Sequence, residues 1–310
     1  MVSIIIPMYG RATYISSCIE SVLQQSYKDI EIICVMDGFS KEINEILQNY
    51  SNDRRIRTFT IEHKGVAAAR NFGLKKVRGE YIVFIDADDI LPPNAIKTLY
   101  DAIIEKKVDV VLGDYNEIFD SGKVVRFVTP SDEVDDFNSY LESVTLWNRI
   151  FRTDFIFEKK LVFNENYTGG DDRIFCADSF LAVPKIFVVH EIVYCWYRHE
   201  SDMEKSITHS IQPDNFINDL LMWNAFMDKM LERWELRMQD HMRYSCYYIL
   251  QRFSEVKSGS KKNECFLQMK KLVLRIDWTE NEKLFNDIFC MDVENFARLN
   301  SFSDFESNQN

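Results

Sequence analysis

Over roughly its first 115 residues this chain alternates between two hydrophobic periods, and that alternation restricts the folds open to it more than any other feature. Val2–Ile6 is a short β-branched run closed by Pro7, after which Ile15, Cys18, Ile19, Val22 and Leu23 recur at helical spacing. Ile30–Met36 is a second apolar run, followed by a helix-like Glu42–Tyr50. Ile56–Ile61 reads as a strand, Val66–Val77 as a helix and Tyr81–Ile85 as a buried strand. Pro93–Glu105 reads as a helix opened by proline, and Val108–Leu112 as one more strand. This rhythm predicts an α/β fold with a mainly parallel sheet flanked by helices on both faces.

From Tyr115 the rhythm changes. Tyr115–Val128 carries Asp120-Ser121-Gly122 between two strand-like pieces, which predicts a hairpin. Asp135–Val144 looks helical, Trp147–Phe157 is dense in aromatics and cations, and Asp172–Val183 is again helical. Ile186–His190 and Glu191–Tyr197 are strand-like. Beyond about Gln212 only helical spacings remain, as in Trp223, Phe226, Met230, Leu231 and Trp234. The expected organisation is an α/β domain over 1–210 and a helical C-terminal extension over 211–310.

Charge and cysteine usage exclude several classes. Lys and Arg total 37 against 49 Asp and Glu, a net charge of −12. A general nucleic-acid binder needs a basic face to displace phosphate counterions, so no nucleic-acid partner is expected. No window approaches the roughly 18 apolar residues of a membrane span, and the N-terminal apolar run is too short for a signal peptide. Cys18, Cys34, Cys176, Cys195, Cys246, Cys265 and Cys290 are scattered, odd in number and without a Cys-x-x-Cys pair. Reduced thiols and a cytoplasmic location follow as expectations.

In an open parallel sheet, ligands bind beyond the carboxyl ends of the strands. The residues there are Pro7-Met8-Tyr9-Gly10-Arg11, Asp37-Gly38, and Asp86-Ala87-Asp88-Asp89. An aromatic ring, a lone carboxylate and an acidic cluster together suit a base, its imide or amide edge and a metal-bound diphosphate. Asp86, Asp88 and Asp89 repel one another unless a cation or solvent intervenes, and hard oxygen ligands suit Mg²⁺ or Mn²⁺. The same acids would also cap the helix that follows. Neither Gly-x-Gly-x-x-Gly after the first strand nor a P-loop is present, which removes most support for a Rossmann dehydrogenase or a P-loop nucleotidase.

The order Val2-Ser-Ile-Ile-Ile-Pro-Met-Tyr9, Ser21-Val-Leu-Gln-Gln-Ser-Tyr27 and Glu31-Ile-Ile-Cys-Val-Met-Asp37-Gly38 resembles the start of glycosyltransferase family 2. Ala69-Arg70-Asn71-Phe-Gly73-Leu and Gly79-Glu-Tyr-Ile-Val-Phe-Ile-Asp86-Ala-Asp88-Asp89 extend the resemblance. Trp147-Asn-Arg-Ile-Phe151 looks like the family's tryptophan segment, and Gly169-Gly170-Asp171-Asp172-Arg-Ile-Phe175 like its Gly-Glu-Asp-x-x-Phe motif. Tyr197-Arg198 followed by Ser206-Ile-Thr resembles the closing motif. The match runs from residue 2 to about 208 and leaves the helical C-terminal third outside it.

The resemblance implies a GT-A fold and inverting transfer of one sugar from a nucleotide-diphosphate donor. Carried over, Pro7 and Tyr9 contact the base and Asp37 its imide nitrogen, which favours a UDP-sugar. Asp88, with Asp86 beside it, holds Mn²⁺ or Mg²⁺. Arg70 and Asn71 fall near the nucleotide or pack the helix below it, and Arg198 neutralises diphosphate or forms a surface ion pair. Asp172 falls at the general base, where a carboxylate takes the acceptor hydroxyl's proton as the bond forms, and its neighbour Asp171 raises the pair's proton affinity by like-charge repulsion. Both acids would also cap the helix near Arg173. His190 and His199 lie where similar enzymes place a metal-ligating histidine, and His199, beside Arg198, is the better fit.

Three positions depart from the family pattern. Met36 replaces an Asp before Asp37, Asp171 replaces a Glu, and the Arg198–Ser206 stretch is longer and more acidic. The Gln-x-x-Arg-Trp motif and membrane helices of processive members are missing, so one sugar per encounter is expected, passed to a glycan or lipid-linked acceptor. In the C-terminal third, Phe266, Leu267, Met269, Leu272, Val273 and Ile276 form an apolar face near Lys261, Lys262, Lys270, Lys271 and Arg275. Such a helix packs on its own domain or a second subunit, making a homo-oligomer, or lies on the anionic inner face of a membrane. Two other functions remain open: a sugar-nucleotide pyrophosphorylase, for which Pro7–Arg11 is a poor Gly-rich loop, and a catalytically silent nucleotide-sugar-binding relative.

Overall fold

A computed structural model describes residues 1–129, 145–167, 169–198, 213–256, 260–279 and 281–307. The helix expected at 135–144 lies outside them. The chain divides into two compact units, one of Met1–Asn166 with Asp171–Met203, the other of Tyr167–Gly170 with Glu204–Asn310.

The first unit is built on one sheet. Its strands are β1 (Val2–Met8), β2 (Ile30–Asp37), β3 (Ile56–Ile61), β4 (Tyr81–Phe84), β5 (Val110–Phe119), β6 (Val124–Phe127), β7 (Arg149–Arg152) and β8 (Ile186–Arg198). The order is β3-β2-β1-β4-β7-β5-β6, with β8 pairing β5 on its other side. β1, β2, β3 and β4 pair in parallel, and β8 is parallel to β5. β7 is antiparallel to both β4 and β5, and β6 to β5. Six strands therefore share one direction, as the alternating pattern predicts, while β6 and β7 oppose it.

The helices of this unit are α1 (Ala12–Leu23), α2 (Lys41–Gln48), α3 (Val66–Leu74), α4 (Ala95–Lys106), α5 (Thr153–Glu158) and α6 (Asp171–Leu181). Alternate residues of β1 face opposite sides, as the pleat requires. Val2, Ile4 and Ile6 join a core with Ile15 and Ile19 of α1, Ile43 of α2 and Leu99 of α4. Ile5 joins another with Ala69 and Leu74 of α3, Phe155 of α5 and Phe175 of α6. Each such fully buried isoleucine contributes roughly 1.5–3 kcal/mol of hydrophobic transfer free energy. At Gly73 a Cβ would lie 2.5 Å from Ile5 Cγ2. The absence of a side chain there lets α3 lie against β1, which fixes where Arg70 projects.

The second unit is helical, with α7 (Pro213–Glu255), α8 (Ser260–Val273), α9 (Glu282–Phe289), α10 (Val293–Arg298) and α11 (Phe302–Ser307). Its core is rich in phenylalanine: Phe266 stands among Phe253, Phe296, Phe302 and Phe305 at centroid distances of 5.5–6.3 Å. Phe266, Met269, Leu272, Val273 and Ile276 are all buried. Three of the nearby cations are engaged inside the unit: Lys262 lies over Phe253 and Phe302, Lys270 donates to the Ala297 carbonyl and Arg275 to the Asn224 carbonyl. The apolar face of α8 thus packs within its own unit, while Leu267 on the helix and Leu274 just past it are exposed. Among the described residues, no helix is long and apolar enough to cross a membrane.

Candidate active site

Because β1, β2 and β4 run in parallel, their carboxyl ends lie side by side. Met8 pairs with Met36, one residue before Asp37, and Ile5 pairs with Phe84, two residues before Asp86. Pro7 is buried within β1 opposite Val35, whereas Tyr9 just beyond it is 64% exposed. The Tyr9 ring stacks on His63, with centroids 4.4 Å apart and planes 8° from parallel.

Asp37 is buried and holds the approach to α3. His63 Nδ1 lies 2.8 Å from its Oδ2, the Gly65 amide donates to the same oxygen at 2.9 Å, and the Lys64 amide donates to Oδ1 at 2.8 Å. Gly65 adopts φ +95°, a conformation that favours glycine and turns these amides toward the carboxylate. His63 is the residue that sequence reasoning missed. It sits in a polar loop, Glu62-His63-Lys64-Gly65, and no local pattern links it to Asp37 or Tyr9. The glycine just before α3 is the only hint of a tight turn.

The three acids after β4 have separate partners. Asp86 Oδ1 accepts from Arg70 Nη2 at 2.7 Å, and Asp88 forms an ion pair with Arg11. Asp89 points inward, its Oδ2 accepting from the Tyr194 hydroxyl at 2.7 Å and its Oδ1 from the Tyr197 amide at 2.8 Å. The Asp86 amide donates to the Tyr194 oxygen at 3.2 Å, and Trp147 stacks on the Tyr194 ring at 4.3 Å. The tryptophan segment thus braces the acidic loop through Tyr194. Burial first, then the charge of Asp86, raises the Asp88 carboxyl above its ordinary range, while Arg11 works the other way. Burial, reinforced by Asp88 and Asp86, pushes Asp89 well above it.

Arg70 joins this loop to the acids of α6. Its Nη1 lies 2.7 Å from Asp171 Oδ2, while its Nη2 holds Asp86. Burial works against the guanidinium charge, but Asp171, Asp86 and Asp172 together raise its proton affinity further. Asp171 is itself buried, and burial raises its carboxyl, opposed by Arg70 and assisted by Asp172. Asp172 is half-buried in the first turn of α6, where its Oδ1 accepts the Arg173 amide at 2.8 Å. Both acids sit where the helix dipole favours negative charge.

The remaining candidates fall outside this cluster or serve it indirectly. Asn71 clamps the segment after α5, donating to the Phe163 carbonyl at 2.9 Å and to Glu165 at 2.8 Å and accepting the Phe163 amide at 2.8 Å. Arg198 pairs with Glu117 at 2.9 Å and lies over Trp196 at 4.5 Å, in an ion pair that is largely buried rather than on the surface. His190 belongs with buried Asp114, 3.5 Å away, which Arg126 and the Thr129 amide also hold. His199 lies outside the described residues. A cleft of about 370 Å³ runs along the Ala68–Phe72–Lys75 face of α3, but Asp86, Asp88 and Asp172 do not line it.

The donor chemistry of Asp86 and Asp88 fits a hard divalent cation, which takes carboxylate oxygens and completes its shell with phosphate and water. Among the described residues, no group of three His, Cys, Asp or Glu is placed to hold an ion.

Known proteins bear on this arrangement. The model of glycosyl transferase family 2 matches residues 3–165, just over half of the chain. Glycosyltransferase GlyG of Streptococcus pneumoniae is 32% identical over 221 residues, covering 66% of this chain and 73% of GlyG. The poly(ribitol-phosphate) beta-glucosyltransferase of Bacillus spizizenii is 29% identical over 223 residues, 69% of this chain but only 35% of that longer protein. The crystal structure of S. aureus TarS 1–349 in complex with UDP aligns with a TM-score of 0.59 and 18% identity, covering 99% of this chain and 91% of TarS 1–349. At that identity the likeness concerns the fold, a helix-flanked mixed sheet followed by a helical region. Taken with the ordered motifs at the strand ends, the family match shows that the chain belongs to glycosyltransferase family 2 and is a glycosyltransferase.

Proposed function

We propose that the chain transfers a single sugar, with inversion, from a UDP-sugar to a hydroxyl of a glycan or lipid-linked acceptor in the cytoplasm. The observation that carries this reading is the Arg70 bridge, which brings the acidic loop after β4 next to the acids opening α6. A leaving diphosphate and an attacking hydroxyl need just such neighbouring but separate carboxylates. The choice of uridine is supported by TarS, whose crystal structures hold UDP and UDP-GlcNAc.

In this reading the base stacks on exposed Tyr9, beside Pro7, with Asp37 at its imide edge. Asp88 and Asp86 would hold Mn²⁺ or Mg²⁺, which when bound neutralises charge on the departing diphosphate. Arg70 holds Asp86 on the nucleotide side and Asn71 fixes the 163–165 segment, with Arg198 kept as the ion-pair partner of Glu117. Asp172 accepts the hydroxyl proton as the acceptor oxygen bonds to the anomeric carbon and the bond from that carbon to phosphate breaks, so the products are glycoside and UDP. Asp171, buried against Arg70, holds its neighbour in place.

The test is turnover with a panel of UDP-sugars and acceptors, with the product anomer assigned by proton NMR. Asp172→Asn is expected to cut kcat by about 10²–10⁴ while retaining UDP binding. An α product from an α-linked donor would contradict inversion, and unchanged kcat would remove Asp172 as base.

A further inference from the structure

Arg11 follows the β1 edge directly, and its guanidinium is paired with Asp88. Its backbone is unusual. Gly10 and Arg11 are two consecutive residues at positive φ, +58° and +44°. An arginine rarely adopts this conformation, so something must hold it there. Arg11 stands at the N-cap of α1 without capping the helix through its side chain, and a Cβ at Gly10 would meet nothing within 4 Å. The turn is thus open, and the contact that draws Arg11 in is Asp88.

Asp88 needs a cation. Its side chain keeps only 20% of its exposure, and the neighbouring Asp86 adds like charge. Arg70 does not serve it, since its two terminal nitrogens are on Asp86 and Asp171. Arg11 is therefore bound to the carboxylate that a divalent cation would use, and the two cations compete. A guanidinium is also a strong partner for phosphate, with its planar fork matched to two oxygens. A diphosphate at this edge offers Arg11 more negative charge than one carboxylate does.

Building on the nucleotide-sugar reading above, we propose that Arg11 is an exchangeable counter-ion. It releases Asp88 to the metal when it moves onto the nucleotide diphosphate, so that metal and nucleotide load cooperatively. Arg11 is on this account a positioning residue that couples two ligands rather than a group in the chemical step.

The experiment is calorimetric titration of the full chain with Mn²⁺, alone and with saturating UDP, in wild type, Arg11→Gln and Arg11→Lys. In wild type, UDP is expected to tighten Mn²⁺ binding about tenfold or more. In Arg11→Gln, Mn²⁺ alone should bind about tenfold tighter than in wild type, and the enhancement by UDP should shrink by about the same factor, leaving the part due to phosphate bound to the metal. Arg11→Lys, which keeps the charge, should follow wild type. If Arg11→Gln binds Mn²⁺ no more tightly than wild type while UDP and Mn²⁺ still bind both, the counter-ion role is overturned and the nucleotide-sugar reading stands. If wild type binds neither ligand, that reading falls and the counter-ion role falls with it.

Discussion

Arg70 contacts Asp86 through one terminal nitrogen and Asp171 through the other, each at 2.7 Å, and the three residues of this bridge come from α3, the loop after β4 and α6. The pair of contacts joins the donor side of the proposed site to the acceptor side through one buried guanidinium. Breaking a buried pair leaves uncompensated charge, which costs far more than the pair contributes over a well-packed apolar substitute. Arg70→Met should therefore lower stability by about 3–5 kcal/mol in urea denaturation. Arg70→Lys should cost less, since an ammonium keeps the charge but loses the fork. A loss below about 1 kcal/mol for the methionine variant would show that the bridge does not hold the loop and α6 together.

Tyr9 separates binding from folding. It is 64% exposed and its ring rests on His63 alone among the described aromatic contacts. Tyr9→Ala should weaken UDP binding by about 1–3 kcal/mol through lost base stacking. Its effect on folding should stay below about 1.5 kcal/mol, the worth of one ring pair. Calorimetry with UDP beside a urea melt separates the two, and unchanged UDP affinity would remove Tyr9 from the base site.

Asp53 gives a pH signature remote from the site. Its carboxyl is held below its ordinary value chiefly by the side chain of Arg55, which lies 2.7 Å away at the turn into β3. A carboxyl lowered in the folded state binds fewer protons there than when unfolded, so its contribution is present above the unfolded pKa and is lost as pH falls through the folded one. At 27% side-chain exposure, solvent screening limits that contribution to about 0.5–1 kcal/mol. The stability gap between wild type and Asp53→Asn should therefore be full near pH 7 and close as the pH falls below about 4. A gap that persists at low pH would assign the effect to packing or the turn instead.

The repeating half of the fold was legible because β1, β2 and β4 are largely apolar runs, β3 alternates apolar with polar residues, and α1 and α2 each carry an apolar stripe between them. β7 was not. Arg149–Arg152 has a cation at each end and only two apolar residues between, so nothing local marks it as a strand; it forms because β4 and β5 offer it edges on both sides. β8 reads as two strands in sequence because its register against β5 shifts around Asp114, where the alternation breaks. In the proposed site, the acidic run after β4 and the motif order mark Asp86, Asp88, Asp171 and Asp172 as candidates. Their bridging through Arg70, the pairing of Asp88 with Arg11 and the anchoring of His63 by Asp37 could not, because each joins residues far apart in the chain whose partner is fixed only by the sheet.

The most direct test of the central claim is titration of the full chain with UDP, with and without Mn²⁺, in wild type and Asp88→Ala. The account predicts UDP binding that strengthens with the metal in wild type and loses that dependence in Asp88→Ala. UDP binding indifferent to both Mn²⁺ and Asp88 would contradict the placement of the diphosphate at the acidic loop after β4.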